Sequence, residues 1–231
     1  MNFKPSFCAF FLIAIPAAAQ VTFNSLPSRT VGQAVLQQQQ VTALAPNLAE
    51  GRELNAPESV ALDTSTSPPI LYVADTANNR VLAWKNSTGF TNGATADLVV
   101  GQRDKLSTSQ QGPGRGLSTG LAAPVAVAVD AIGNLYVVDA GNNRVVRYPK
   151  PFTQSGGFLT VDLIIGQPDL NSSQSNQGQA APSAQTLALI SGSTALRSGV
   201  VFDSQGDLWI SDAGNNRVLR FPASALANGA A

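Results

Sequence analysis

The sequence predicts an all-β fold assembled from repeated four-stranded units, and three observations carry that prediction. A hairpin phrase occurs three times, as Leu71 to Trp84 (LYVADTANNRVLAW), Leu135 to Tyr148 (LYVVDAGNNRVVRY) and Leu208 to Phe221 (LWISDAGNNRVLRF). Each copy has an alternating apolar run, an Asp, a polar turn ending Asn-Asn-Arg and a second apolar run, the pattern of two antiparallel strands around a turn. A second phrase, Val31-Gly32-Gln33, Val100-Gly101-Gln102 and Ile165-Gly166-Gln167, recurs at intervals of 69 and 65 residues and interleaves with the hairpins. One unit therefore runs from Gly-Gln to Gly-Gln. Finally, 20 Gly and 14 Pro punctuate short apolar runs in a chain that is 44% hydrophobic and 12% charged, a globular composition with many turns.

The chain begins with an export segment. Lys4 supplies the positive charge, Phe7 to Ile15 the apolar run, and Ala17-Ala18-Ala19 a small-residue cleavage site. These predict removal of residues 1–19 as a signal peptide and a secreted protein, extracellular or periplasmic. The apolar run is too short to span a bilayer. Cys8 lies inside it and leaves with it, so residues 20–231 contain no Cys, no Met and no His. Disulfides then contribute nothing to stability. Lys+Arg and Asp+Glu both number 14, so there is no basic footprint for nucleic acid or for an anionic membrane surface.

Residues 20–231 divide into units of about 31–99, 100–164 and 165–231, with no interdomain linker. The first strand of each unit is read at Val60 to Asp63, Val125 to Asp130 and Val200 to Asp203, runs of small apolar residues expected to pack on both faces. Gly133 and Gly206 mark the tight turn into the second strand, whereas the first unit has a longer turn with Pro68-Pro69. The two hairpin arms are strands two and three. Asp97 to Gly101 (DLVVG) and Asp162 to Gly166 (DLIIG) are strand four. Long polar inserts, Gln33 to Ala56, Gln102 to Ala123 and Gln167 to Ser198, join strand four to the next first strand and lengthen the repeat. The Gln37 to Gln40 run reads as low-complexity loop.

The phrase P-x-x-V-A-V-D followed by G-N-L-Y-V-V-D-A-G-N-N-R-V-x-R-Y resembles the NHL repeat, and D-L-x-x-G-Q-P-D is similar to secreted bacterial NHL-repeat proteins with inserted loops. The resemblance covers about Val31 to the C-terminus. It implies blades of a β-propeller, commonly six-bladed, of which three repeats are present as a partial ring. Propeller topology puts the loop between strands two and three and the loop from strand four to the next blade on one face, the default ligand surface. Two departures from the repeat are Arg197 in place of Pro57 and Pro124, and Ala77 in place of Gly141 and Gly214.

The repeated polar residues are Asp75, Asn78, Asn79 and Arg80, then Asp139, Asn142, Asn143 and Arg144, then Asp212, Asn215, Asn216 and Arg217. A ring of charge around a channel and a structural clamp are both compatible with them. Recurrence in every unit favours the clamp, Asp accepting turn N–H groups and Arg bonding Asp across the hairpin. Asp63, Asp130 and Asp203 end the first strands and are read as turn caps in preference to Ca²⁺ ligands. No cofactor and no metal site is expected. Without His there is no imidazole base or triad, and no Glu is read at the strand ends that a carboxylate metal site uses.

Function is sought in what differs between units: Glu50, Arg52 and Glu53 in the first insert, then Arg103, Asp104, Lys105, Arg115 and Arg197, the last five being the candidate ligand-face residues. The reading is a secreted binding or scaffolding module for a protein or carbohydrate ligand, more a binder than an enzyme. The alternative is a divalent-metal-dependent propeller hydrolase or lactonase. The offset of 13 residues from Trp84 to Asp97 carries strand four of the last unit past Ala231. The expectation is therefore that the remaining blades come from a longer chain or, second, from a homodimer.

Overall fold

A computed structural model describes residues 29–32, 50–112 and 118–226. The expected signal peptide, Gln33, Gln37 to Gln40 and Arg115 lie outside the described residues. The chain is built of antiparallel β-sheets, with short 3₁₀ turns as its helical content among the described residues. No helix there is long and apolar enough to cross a membrane.

Blade 1 holds β1 (Pro57–Asp63), β2 (Ile70–Asp75), β3 (Arg80–Trp84) and β4 (Leu98–Val100) in the order β1-β2-β3-β4. Blade 2 repeats the order with β5 (Pro124–Val129), β6 (Leu135–Asp139), β7 (Arg144–Tyr148) and β8 (Leu163–Ile165). A small hairpin, β9 (Ile190–Ser191) and β10 (Thr194–Ala195), follows in the third insert. Blade 3 has β11 (Val200–Phe202), β12 (Leu208–Asp212) and β13 (Arg217–Phe221) in a three-stranded sheet. These are three blades of a β-propeller, an open arc with the first strand of each blade innermost, β5 lying between β1 and β11.

The hairpin register explains how one phrase builds each blade. In blade 2, Leu135 pairs with Tyr148, Val137 with Val146, and Asp139 with Arg144. Because side chains alternate across a strand, Tyr136, Val138 and Val145 share one face while Leu135, Val137 and Val146 share the other. Tyr72, Ala74, Val81 and Ala83 of blade 1 pack on the second of these faces. Tyr136, Val138 and Val145 in turn pack on Leu208 and Ile210 of blade 3. Each large apolar side chain buried this way contributes about 1.5–3 kcal/mol, so the joins between blades form the core.

The first strands were expected to be packed on both faces, and only β5 is buried, from Pro124 to Ala128 with Val129 partly so. Val60 and Leu62 of β1 and Val201 of β11 are exposed. The reason is positional: β5 has a blade on either side, whereas β1 and β11 have one neighbouring blade each among the described residues. The third insert, read as polar loop, also holds β9 and β10, and its Leu187 and Leu189 are fully buried in the join between blades 2 and 3.

Candidate ligand-binding face

The repeated Asp-x-x-Asn-Asn-Arg turn is a peg on which two inserts hang. Each turn is a single 3₁₀ turn, Thr76–Asn78, Ala140–Asn142 or Ala213–Asn215, closed by an Asn in the left-handed region at φ 53°, 50° and 52°. Asn tolerates that conformation better than most residues. In the middle blade Asp139 Oδ2 accepts from Asn142 Nδ2 at 2.8 Å and from Arg144 Nε at 2.7 Å, while Oδ1 accepts the Ala122 N–H at 2.7 Å. Asp75 repeats this with Asn78, Arg80 and the Asn55 N–H, and Asp212 with Asn215, Arg217 and the Ala188 N–H. The carboxylate thus ties its hairpin to the end of the preceding insert. Burial pushes the Asp139 carboxyl above its ordinary value, opposed by Arg144, the Ala122 N–H and Asn142.

The Arg reaches further. Arg80 donates to the carbonyls of Glu53 and Lys105, and Arg144 to those of Gly120 and Leu170, so each guanidinium joins the insert before its blade to the insert after it. Arg217 donates to the Ser183 and Thr186 carbonyls, both in the insert before blade 3. The Gly-Gln phrase, visible in the sequence only as a marker of period, has a matching task. Gln102 Nε2 donates to the Asn79 and Ser109 carbonyls, and Gln167 Nε2 to those of Asn143 and Gln174. Gly101 sits at φ +84°, and a Cβ there would stand 2.4 Å from Leu121 Cγ, so only glycine lets the insert turn back over the strand end. Hairpin turns and inserts therefore share one face.

On that face, at the inner ends of β1 and β5 and just ahead of β11, lies a cleft of 530 Å³. Equivalent positions of the three units line it: Pro57-Glu58-Ser59, then Val125-Ala126 after Pro124, then Arg197-Ser198-Gly199. The positions repeat and the chemistry does not. Glu58 and Arg197 are exposed carriers of opposite charge, and the buried Ser198 hydroxyl has no hydrogen-bond partner among the described residues. Ser59 Oγ accepts the Val127 N–H from the next blade at 3.2 Å. Glu58 corrects the sequence reading, which saw no Glu at the strand ends. It stands at the second residue of β1, a strand whose start was placed at Val60.

Of the asymmetric candidates among the described residues, only Arg197 reaches this cleft. Unlike Pro57 and Pro124, which open their strands, Arg197 lies three residues ahead of β11. Arg103 is exposed in the second insert. Asp104 accepts from the Ser107 hydroxyl and from the Leu106 and Ser107 N–H groups, bonds that hold its carboxyl below the ordinary value, the hydroxyl most of all. Lys105 donates to the Ala96 carbonyl. Arg52 bonds Glu50 and Glu53 on the surface. Asp63, Asp130 and Asp203 each accept N–H groups of the turn that follows, as turn caps do. Among the described residues no cluster of three metal-ligating side chains occurs.

Residues 198–221 match the NHL repeat. The match spans β11 to β13, and the other two blades carry the same hairpin with the same internal bonds. No curated protein matches the chain. Solved structures similar to it include a streptogramin B lyase, at 12% identity and TM-score 0.37, covering 73% of this chain and 38% of that one. A virginiamycin B lyase from Staphylococcus aureus follows at 15% identity and TM-score 0.35, covering 75% and 44%. A luciferin-regenerating enzyme matches at 16% identity and TM-score 0.35, covering 72% and 40%. The chain spans less than half the length of these structures. The likeness assigns neither residue nor activity to it.

Proposed function

We propose that this chain is an exported NHL-repeat binding module that takes a protein or carbohydrate ligand on its hairpin face, at the axial cleft. Residues 1–19 direct export and residues 20–231 act outside the cytoplasm. The asymmetry of the cleft carries the reading. The Asp and Arg of every hairpin are spent on holding inserts, and a binding constellation on a pseudo-symmetric ring has to come from positions that differ between blades. Glu58, Arg197 and the Ser198 hydroxyl are such positions, gathered in a cleft that all three blades line. An acceptor on the ligand suits Arg197, a hydroxyl or amine donor suits Glu58, and the apolar floor of Val125 and Ala126 suits a sugar or side-chain face.

The test is a glycan and protein array probed with the secreted protein and with a Glu58→Gln/Arg197→Ala variant. Ligands bound by the first and lost by the second, with an unchanged melting temperature, support the reading. Equal binding by both overturns the assignment of the cleft. Calorimetric titration with Ca²⁺ and Mg²⁺ separates the metal-dependent hydrolase alternative, which requires saturable binding of one of them.

A further inference from the structure

Two side chains that fill the join between blades 2 and 3 have smaller counterparts in the join between blades 1 and 2. In blade 2 Arg147 lies opposite Tyr136, bonds Asp162 through Nε at 2.7 Å, and reaches the Tyr136 hydroxyl and the Leu226 carbonyl through Nη1. Phe202 of β11 packs edge-on against the Tyr136 ring, with centroids 4.9 Å apart. In blade 1 Ala83 lies opposite Tyr72, and the strand position of Phe202 is held by Val129 of β5. Tyr72 is fully buried, and its hydroxyl has no hydrogen-bond partner among the described residues.

A cleft of 460 Å³ opens beside Tyr72. It lies between two adjacent blades that each have all four strands, at the ends of β1 and β7, and so on the face opposite the hairpin turns. Ile70 and Tyr72 of blade 1 and Ile132 and Phe152 of blade 2 give it apolar walls, the Phe152 ring standing edge-on to Tyr72 at 6.4 Å. Two charged side chains line it as well. Asp63 is 3% exposed, and its Oδ1 accepts the Ser65 N–H at 2.8 Å while Oδ2 accepts from no described residue. Lys150 is exposed, and it forms no ion pair with Asp63 or with any other carboxylate among the described residues.

We propose that this cleft binds a small apolar zwitterion, the chemistry shared by a free apolar amino acid and a short apolar peptide. A buried carboxylate without a cation is costly, and a ligand ammonium donating to Asp63 Oδ2 and to the Tyr72 hydroxyl supplies what both groups lack. The Lys150 ammonium, on its flexible four-carbon stem, takes the ligand carboxylate. A purely cationic ligand would meet Lys150 as a like charge, and a purely anionic one would meet Asp63. The apolar walls receive the ligand's side chain, and 460 Å³ falls within the range of about 300–1,000 Å³ usual for small-molecule sites. Blade 2 marks the contrast, since its Arg147 satisfies the Tyr136 hydroxyl from within the protein. The site lies away from the axial cleft and does not rest on the ligand assigned there.

Titration of the secreted protein with L-phenylalanine and with phenylalanyl-leucine, followed by ligand-observed NMR, tests the site and tells the amino acid from the peptide. Saturable binding of at least one is expected, weakened about tenfold or more in analogues that lack the ammonium or the carboxylate. Tyr72→Phe and Asp63→Asn are each expected to weaken it about fivefold or more at an unchanged melting temperature, because Phe keeps the ring and Asn keeps the Oδ1 that accepts the Ser65 N–H. A Tyr72 that only packs would leave binding alone. Ala83→Arg rebuilds the arrangement of blade 2, with Asp97 in the place of Asp162, and is expected to fill the cleft and abolish binding. No saturable binding of either probe, equal binding of the trimmed analogues, full affinity in both Tyr72→Phe and Asp63→Asn, or a folded Ala83→Arg protein that still binds would each overturn the proposal.

Discussion

Blades 2 and 3 are written in nearly the same letters and live in different surroundings. Tyr136 and Val145 of blade 2 are each 1% exposed, and their counterparts Trp209 and Val218 of blade 3 are 37% and 62% exposed. The hairpin bonds are the same in both, yet the Arg144 side chain is buried and that of Arg217 is 25% exposed. Burial in this fold is therefore conferred by the neighbouring blade and not by the blade's own sequence. A single repeat has two apolar faces and cannot cover either by itself.

The sharpest way to break the comparison is to cut the same ion pair in both blades. Arg144→Ala leaves Asp139 buried with its main counter-charge gone, at an expected cost of about 3–5 kcal/mol in denaturant melts. Arg217→Ala also strands a buried carboxylate, but the Arg217 side of the pair is 25% exposed and water can enter from there, so a smaller cost of about 1–3 kcal/mol is expected. Equal costs would show that the surroundings do not set the value of the pair. Next comes the apolar face. Tyr136→Ala opens a cavity between two blades and is expected to cost about 3 kcal/mol, whereas Trp209→Ala on the open face costs about 1 kcal/mol.

A smaller effect compares blades 1 and 2. The Tyr136 hydroxyl accepts a hydrogen bond from Arg147 at 3.3 Å, but Ala83 stands in the matching position of blade 1, and the buried Tyr72 hydroxyl has no partner among the described residues. Tyr72→Phe is expected to leave stability unchanged or to raise it by up to about 1 kcal/mol, and Tyr136→Phe to lower it by about 0.5–1 kcal/mol. Paired melts of the two variants check the difference in sign.

The smallest effect is electrostatic and belongs to blade 3. The Asp203 carboxyl is held below its ordinary value, first by the Trp209 Nε1–H bond and then by the Asp207 and Gln205 N–H groups. A carboxylate whose pKa is depressed by folding adds stability that is present above its unfolded value, about 3.9, and is lost as pH falls through the folded value. Trp209→Phe removes the largest contributor, so the carboxyl titration followed by NMR is expected to move upward. A titration that stays in place would detach Trp209 from the turn below it.

Much of the architecture was legible in the letters. Alternation across Leu135–Asp139 and Arg144–Tyr148 sets strand faces locally, and the separation of Asp139 from Arg144 places them opposite each other in a hairpin whatever lies around it. The candidate site was legible only in part. Arg197 stood out as a break in the repeat, but Glu58 was passed over because β1 starts earlier than its apolar run, at Pro57. The tasks of Gln102 and Gln167 were invisible because their partners, the carbonyls of Ser109 and Gln174, are backbone groups of inserts with no readable pattern.

The sequence by itself determined the hairpin, its register and the repeat, since all of these follow from interactions between residues close along the chain. Tertiary structure alone decided which copies of an identical motif are buried and that Glu58, Arg197 and Ser198 share one cleft. Those facts depend on how blades stack around an axis. Residues more than a hundred positions apart then become neighbours, and no local pattern encodes the distance between them.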